Sequence, residues 1–412
     1  MYNQSNIKSV DKIDEVLTRI VANIIPSREK LEHLLRSGKK LNVYYGIDPT
    51  FTRIHLGNAV PLRELQKFVE LGHNVTFLIG DFTALIGDTS DKDSERPILT
   101  YDQIKANFQS YKKQASKIVD FSKTKIRYNH EWLSKLNFQD VVKLTRHFSL
   151  NDFISRELIK RRLSTGKSVS LPEVLYPVMQ GYDSYLLDTD IQIGGTDQVF
   201  NMQAGRTLQK NLRNKESFIV ETVFPLEGTD GRKMSKSWGN AIWLDDEPNE
   251  IFGKVMSLKD DLIIQYFSMA TSISALILEE IKKRFNSREN RMILKKELAE
   301  RIVSEIQDKK KAEKARQEFE RVFQKRGLPT EVPTLEIEDR QLLALDLLSH
   351  PKLLGSRSEV KRLVSQKAVE FDGKLVENHK ELIKIPPQGA IIKIGKRQIV
   401  RVLPTDRQVI SK

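Results

Sequence analysis

Cysteine is absent from the 412 residues. Its absence excludes disulfides, thiol nucleophiles and cysteine-ligated metals, and it agrees with a reducing, cytoplasmic setting. Long apolar runs are also missing. No stretch is long and apolar enough to span a bilayer. The first 20 residues carry Asp11, Asp14 and Glu15 where a signal peptide would need an unbroken apolar segment, so neither membrane nor leader is expected. Aromatic residues make up 8% and apolar residues 39%, a composition that suits a globular chain of about two to four domains.

Positive charge is what the chain has in excess. The net charge is +13. Residues 340–412 hold 15 Lys or Arg against 7 Asp or Glu, so +8 of it sits in the last 73 residues. A small basic module therefore follows a nearly balanced body, and a polyanionic partner is indicated.

Residues 8–38 place apolar side chains at helical spacing until Gly38. "LNVYYGID" reads as a buried strand ending in a turn at Asp48-Pro49, residues 58–71 as a helix closed by Gly72, and "HNVTFLIGD" as a second buried strand. Strand, helix, strand implies a βαβ unit on a parallel sheet. "KIRYNHEW" (125–132) and "FIVETVF" (218–224) add two candidate strands, with helical patterns over 100–121 and 139–162 between them. The fold class expected is α/β: a doubly wound parallel sheet with a helical insertion, then an α-helical domain and a small α+β domain. The boundaries are 1–243, 244–326, a proline-bearing linker 327–341, and 342–412. In the last part "AVEFDGKLVEN" predicts a hairpin with Asp-Gly at its turn.

Two stretches carry chemistry. "HLGN" (55–58) lies just beyond the first strand, where open α/β sheets bind ligands and a helix N-terminus favours an anion. Gly57 permits close approach, and His55 and Asn58 add donors. A helix start with a capping side chain would explain the same four residues. "GRKMSKSWGN" (231–240) is the second stretch. Lys233 and Lys236 together can neutralise a departing polyphosphate. A solvated basic turn would explain that segment taken alone.

The pair HLGN and KMSKS resembles the two motifs of class I aminoacyl-tRNA synthetases, with Asn58 in place of a more usual histidine. With "VYYGIDPT", "LIGDTSDKDSER", "YPVMQGYDS" and "IGGTDQVFN", the chain resembles the tyrosyl-tRNA synthetases of bacterial type over nearly its whole length. The resemblance implies a Rossmann-like core and a ligase that joins tyrosine to tRNA(Tyr). Tyr44 and Asp183 would meet the substrate phenol. Asp88, Tyr176 and Gln180 would hold its ammonium, and Gln198 would lie near its carboxyl end. ATP would lie against Asp48, Thr50, His55, Gly57, Asn58, Lys92, Arg96, Asp197, Lys233, Ser235 and Lys236, with His55, Asn58 and the two lysines catalytic. Magnesium would arrive with ATP, since no acidic metal cluster is visible in the sequence. The resemblance further implies a homodimer through the inserted helices and anticodon-arm contacts from 247–326. "SRSEVKRLVSQKAVEFDGKLVEN" (356–378) resembles a small RNA-binding domain also found in a ribosomal protein, which would use Arg357, Lys361, Arg362 and Lys367 on phosphates.

Tyr45 departs from the family, where a small residue or cysteine is common near the ribose, and Val199 and Phe200 occupy a variable pair. Two rivals stay open at this point. A tryptophan-activating enzyme shares both motifs, but the Tyr44/Asp183 pair and the basic tail argue against it. An RNA-binding paralogue without catalysis would keep the fold, but His55 and both lysines argue against lost chemistry.

Overall fold

The computed structural model describes residues 11–87, 99–223, 225–324, 332–395 and 398–405. The chain forms two compact units that meet in sequence between Arg316 and Gln317.

The first unit opens differently from the helical reading of 8–38. It comprises α1 (Lys12–Thr18), β1 (Val21–Ile25) and α2 (Arg28–Arg36). Val21, Ile24 and Ile25 are β-branched and Pro26 follows, so the helix ends before them and the segment extends. Apolar spacing alone could not separate the two states. Asp11 and Ser27 cap the two helices, accepting from the backbone N–H of Ile13 and Lys30.

The βαβ unit is as the sequence indicates: β2 (Asn42–Ile47), α3 (Leu56–Glu70) and β3 (Asn74–Ile79). Then come α4 (Tyr101–Ala115) and β4 (Thr124–Tyr128). The candidate strand 125–132 is cut short, because residues from His130 to Leu133 turn into a short helix, α5. The long helical pattern 139–162 is broken into α6 (Phe138–Thr145), α7 (Leu150–Ile154) and α8 (Glu157–Ser164). Asn137 and Asp140 form a capping box at α6, and Ser149 and Arg156 open α7 and α8. The sheet unit closes with α9 (Leu171–Leu186), β5 (Ile191–Gly195), α10 (Val199–Arg213) and β6 (Phe218–Thr222).

The strands order as β1-β6-β5-β2-β3-β4. All neighbours are parallel except β1 on β6. The expected parallel doubly wound sheet is thus present, with one antiparallel edge strand. The chain leaves β2 towards β3 on one side and β5 lies on the other, so β2 and β5 flank a topological switch point.

The helices α11 (Pro248–Met256), α12 (Ile263–Ala270), α13 (Ala275–Asn286), α14 (Arg291–Ile306) and α15 (Lys309–Phe319) follow. The carbonyls at the end of α12 are captured by two arginines. Arg19 donates to the oxygens of Phe267 (3.1 Å) and Thr271 (2.8 Å). Buried Arg63, on α3, donates to Ala270 O (2.7 Å) and pairs with Glu305 of α14 (2.8 Å). A helix C-terminus is electronegative, so both guanidiniums are well placed there. Through Arg63 the helical block is fastened to the helix that begins with HLGN.

The second unit contains β7 (Thr334–Ile337), β8 (Gln341–Leu343), α16 (Ala344–Leu348), α17 (Arg357–Ser365), β9 (Val369–Phe371), β10 (Lys374–Leu375), β11 (Leu382–Lys384), β12 (Ala390–Ile394) and β13 (Gln398–Pro404). Its five-stranded sheet runs β10-β9-β12-β13-β7, and β11 pairs with β8. The stretch read as linker therefore supplies β7, which lies parallel to β13. Leu335 and Ile337, both buried there, are the alternate positions that the prolines obscured. The expected hairpin is β9–β10, with Asp372 at φ 49° and Gly373 at φ 79°. Both residues favour that left-handed region.

Candidate active site

A cavity of about 290 Å³ opens at the carboxyl ends of β2 and β5. Among the sequence-predicted residues, Tyr44, Asp48, Thr50, Gly57, Asn58, Tyr176, Gln180, Asp183, Asp197 and Gln198 all line it. Asp88, Lys92 and Arg96 lie outside the described residues. His55, Lys233, Ser235 and Lys236 do not line the cavity itself. Lys236 stands at its edge, with Nζ 4.7 Å from the ring centre of Phe51, a lining residue.

The deep end is polar but buried. Asp183 is 3% exposed. Its Oδ1 accepts from Trp132 Nε1 (2.7 Å) and its Oδ2 from Asn129 Nδ2 (3.1 Å). Burial nevertheless dominates and pushes its carboxyl up to about 8. Tyr44, also buried, donates to Gln192 Oε1 (3.1 Å), and Gln192 in turn donates to the Met202 carbonyl (3.0 Å). Burial, with the Asp183 charge added, raises the Tyr44 phenol well above its usual value.

Tyr176, Gln180 and Asp183 share the face of α9 that meets the cavity. That face is not a solvated one. Tyr176 donates to Asp48 Oδ2 (2.8 Å), and Thr83 donates to Asp48 Oδ1 (2.7 Å). This seats the carboxylate of Asp48 above Gly80, where any Cβ would overlap Asp48 Oδ1. Gln198 donates to Asp197 Oδ2 (3.2 Å) and accepts from Asn201 (3.2 Å). Tyr45 lines the cavity with Tyr111, which is hydrogen-bonded to it, and its phenol is raised by burial and by Asp197. Val199 and Phe200 do not line the cavity. Phe200 packs at right angles on Phe153, 5.4 Å between ring centres.

The mouth is cationic and its parts come from distant sequence. His55 is the N-cap of α3: Nδ1 accepts from the Asn58 backbone N–H (3.2 Å). Accepting at Nδ1 puts the proton of the neutral ring on Nε2. Burial first, then the charge of Lys233, lowers its pKa to about 4, so the ring is neutral at physiological pH. The residues that follow the 231–240 segment are held to α3's start by main chain. Leu56 N–H donates to Ile242 O and Leu244 N–H to Ile54 O, each 2.9 Å.

Sequence reading missed Asn240, which is 2% exposed and organises the lysine segment. Its Oδ1 accepts from Ser235 N (2.9 Å), and its Nδ2 donates to Asp230 (2.7 Å) and to the Lys233 carbonyl (3.1 Å). Asn129, Trp132 and Gln192 were also missed. They act through partners far away in sequence, and no local pattern announces them.

These findings agree with known proteins. The family model for class I tRNA synthetases (W and Y) matches residues 36–324. The chain belongs to the class I tRNA synthetases, on their tyrosyl branch. The tyrosine–tRNA ligase of Thermotoga maritima is 39% identical over 390 residues, 94% of this chain and 96% of that relative. The tyrosine–tRNA ligase of Dehalococcoides mccartyi is 40% identical over 391 residues, 94% and 98% of the two chains. Among solved structures, a mitochondrial tyrosyl-tRNA synthetase of Aspergillus nidulans covers 77% of this chain and 95% of its own at TM-score 0.65 and 23% identity. The Archaeoglobus fulgidus tyrosyl-tRNA synthetase complexed with L-tyrosine covers 74% and 100% at TM-score 0.58 and 22% identity. At those identities the two structures speak for the fold.

The raised carboxyl of Asp183 has a measurable consequence. Its ordinary value is 3.8, so between about pH 4 and 8 the folded chain holds a proton there that the unfolded chain has lost. Stability from this group is full below pH 4 and is lost as pH rises to 8. Without ligand, the wild type should lose stability steadily as pH rises across that window relative to Asp183→Asn, by on the order of 1 kcal/mol per pH unit. Denaturant titrations of both proteins from pH 5 to 8 check this, and parallel curves would contradict it.

Proposed function

We propose that the chain is a tyrosine–tRNA ligase: it activates L-tyrosine with ATP to tyrosyl-adenylate and pyrophosphate, then passes the tyrosyl group to the terminal ribose of tRNA(Tyr). The observation that carries the choice of amino acid is the buried Asp183 and Tyr44 pair at the deep end of the cavity. A phenol satisfies both. Its O–H donates to the Asp183 carboxylate, and the Tyr44 hydroxyl turns from Gln192 to the phenol oxygen. Phenylalanine can make neither hydrogen bond: Asp183 would keep only Trp132 and Asn129, and Tyr44 only Gln192, while the phenol's own two hydrogen bonds, worth about 1–3 kcal/mol to this charge-assisted site, would be lost. Rejection of phenylalanine by tyrosyl-tRNA synthetases is the established example of this effect, so the argument is general to the family.

Activation needs no base, because the substrate carboxylate is already the nucleophile. Its oxygen attacks the α-phosphorus of ATP, and the bond to the β,γ-pyrophosphate breaks with the electron pair leaving on pyrophosphate. The chain contributes position and charge. Tyr176, Gln180 and, by resemblance, Asp88 hold the ammonium, and Gln198 lies by the carboxyl end. The Asp48 backbone, Thr50, Gly57, Asn58 and Asp197 receive the nucleotide. His55, neutral and protonated on Nε2, donates to phosphate, while Lys233 and Lys236, with Ser235 and by resemblance Lys92 and Arg96, gather around pyrophosphate. Magnesium comes bound to ATP. The reaction belongs in the cytoplasm, where its tRNA is found.

Two partners complete the reading. The first is a second copy of the chain. Phe138 (83% exposed), Leu150 (64%) and Leu171 (69%) stand out on the inserted helices, an apolar surface that a homodimer would cover. Sedimentation equilibrium should return the dimer mass, and a monomer at micromolar concentration would remove this part. The second is RNA at the tail. Arg357, Lys361, Arg362 and Lys367 are exposed on and just after α17. Arg357 also pairs with Asp346 and Arg362 with Glu359. Changing Lys361 and Lys367 to alanine should weaken tRNA binding and reduce its log-log salt slope by about 2. An unchanged slope would place the RNA elsewhere.

The decisive experiment is ATP–pyrophosphate exchange with each amino acid, magnesium present and tRNA absent. Exchange with tyrosine alone is expected. His55→Ala should slow it by about 100-fold or more while tyrosine affinity changes little. Exchange with tryptophan instead would overturn the Asp183 argument, and no exchange from a folded protein that binds RNA would favour the non-catalytic paralogue.

A further inference from the structure

Trp243 stands against one of the residues just assigned to substrate, His55. Its ring meets the His55 imidazole edge to face, 5.6 Å between centres at 61°, and its backbone bridges to His55. The indole is itself held. The Arg53 guanidinium stacks on it at 4.6 Å from the ring centre. Arg53 is locked in turn by Asp245 (2.8 Å) and Asp246 (2.8 Å). Asp246 is 5% exposed, accepts from the Trp243 backbone N–H (3.0 Å) and pairs with Lys254 (2.7 Å). Lys117 adds a hydrogen bond to the next carbonyl, Leu244 O (2.6 Å).

We propose that Trp243 is a positioning residue for the activation step: it fixes the His55 ring in the one orientation that keeps Nδ1 on the α3 cap and leaves Nε2–H for phosphate. The geometry supports this in two ways. An imidazole cap leaves the ring free to pivot about χ1 and χ2, and a single 3.2 Å hydrogen bond is a weak restraint on that pivot. The indole removes the freedom by contact. Second, Trp243 lies three residues beyond Asn240, so the side chain that sets the histidine belongs to the same stretch of chain that sets Lys233 and Lys236. The two motifs are brought into register by one segment. Nε2 has no hydrogen-bond partner among the described residues, as a donor kept for a ligand requires.

The groups that face this assembly are few. Lys233 is the charge whose field reaches the imidazole. Arg53 faces the indole, and Asp245 and Asp246 face Arg53. Removing the indole would admit water to the ring while Lys233 stays in place. Its buried, neutral state would relax towards that of an ordinary histidine.

The proposal rests on the adenylation reading, and its test separates the two. In the full-length protein, Trp243→Ala and Trp243→Phe are compared with wild type by tyrosine-dependent exchange and by NMR titration of His55, assigned by its loss in His55→Ala. Trp243→Ala is expected to lower the exchange kcat by about tenfold to a hundredfold with the tyrosine KM within about threefold, since a misplacement of the order of 1 Å costs this much. The His55 titration should move from about 4 towards 6.5. Phenylalanine, which keeps an edge to offer, should restore most of both. In a His55→Ala background, Trp243→Ala should add less than about twofold. An unmoved His55 titration, or losses from the two sites that multiply, would overturn the proposal. If wild type shows no exchange with any amino acid, the adenylation reading falls, and the titration still decides whether Trp243 sets His55.

Discussion

Two backbone hydrogen bonds hold the site together: Leu56 N–H to Ile242 O and Leu244 N–H to Ile54 O. They pin the entry to α3 to the residues just after the lysine segment, across most of the catalytic unit's length in sequence. Neither segment belongs to the six-stranded sheet. Each is a connection, and a connection alone would be the most mobile part of an α/β fold. Pairing them gives both a rigid reference. α3 is anchored at its other contacts by Arg63, whose guanidinium reaches Ala270 and Glu305. The start of α3, the lysine segment and the helical block are therefore one mechanical body, and the cavity at the end of β2 has a fixed rim.

That arrangement explains what was legible in the sequence. β2, α3 and β3 could be read because the strands are short apolar runs bounded by turns and the helix between them is buried over most of its length and closed by Gly72. HLGN and KMSKS were readable as a pair, since chance rarely supplies both. The strand β1 was not readable, because Ile20, Val21, Ile24 and Ile25 satisfy a helical spacing as well as a strand run, and only the partner β6 decides. β7 was hidden by its flanking prolines for the same reason: a strand is confirmed by its neighbour, and β13 lies far downstream.

The site was legible in its ligand-facing layer and opaque one layer behind. Tyr176, Gln180 and Asp183 could be placed on one helix face by counting. Trp132 and Asn129, which hold the Asp183 carboxylate, could not, because they stand on and beside a short helix that the sequence suggested was a strand. Gln192 sits opposite Tyr44 on a neighbouring strand, a register known only from the folded sheet. Asn240 lies within the motif segment, yet its part in it appears only when the loop folds back so that one amide meets Ser235, Asp230 and Lys233. Such supporting residues are selected by geometry that composition and spacing do not encode.

Burial acts on the two ends of the site with one physical cause and opposite results. It disfavours charge, so it raises the carboxyl of Asp183 and lowers the imidazole of His55, and each group is pushed towards its neutral form. At the deep end neutrality is a state to be abandoned. Two N–H donors already point at Asp183, and a phenol hydroxyl would be the third, which shifts the balance towards the carboxylate against the cost of burial. In the proposed reading, recognition of a phenol would then be coupled to release of a proton from Asp183. At the mouth neutrality is kept. A protonated His55 beside Lys233 would add a second repelling cation to an uncovered site and would take away the lone pair that caps α3. A neutral ring keeps the cap on Nδ1 and still presents a donor on Nε2. The lysines can supply charge without help from the histidine. What His55 would supply is direction, and direction depends on what holds the ring.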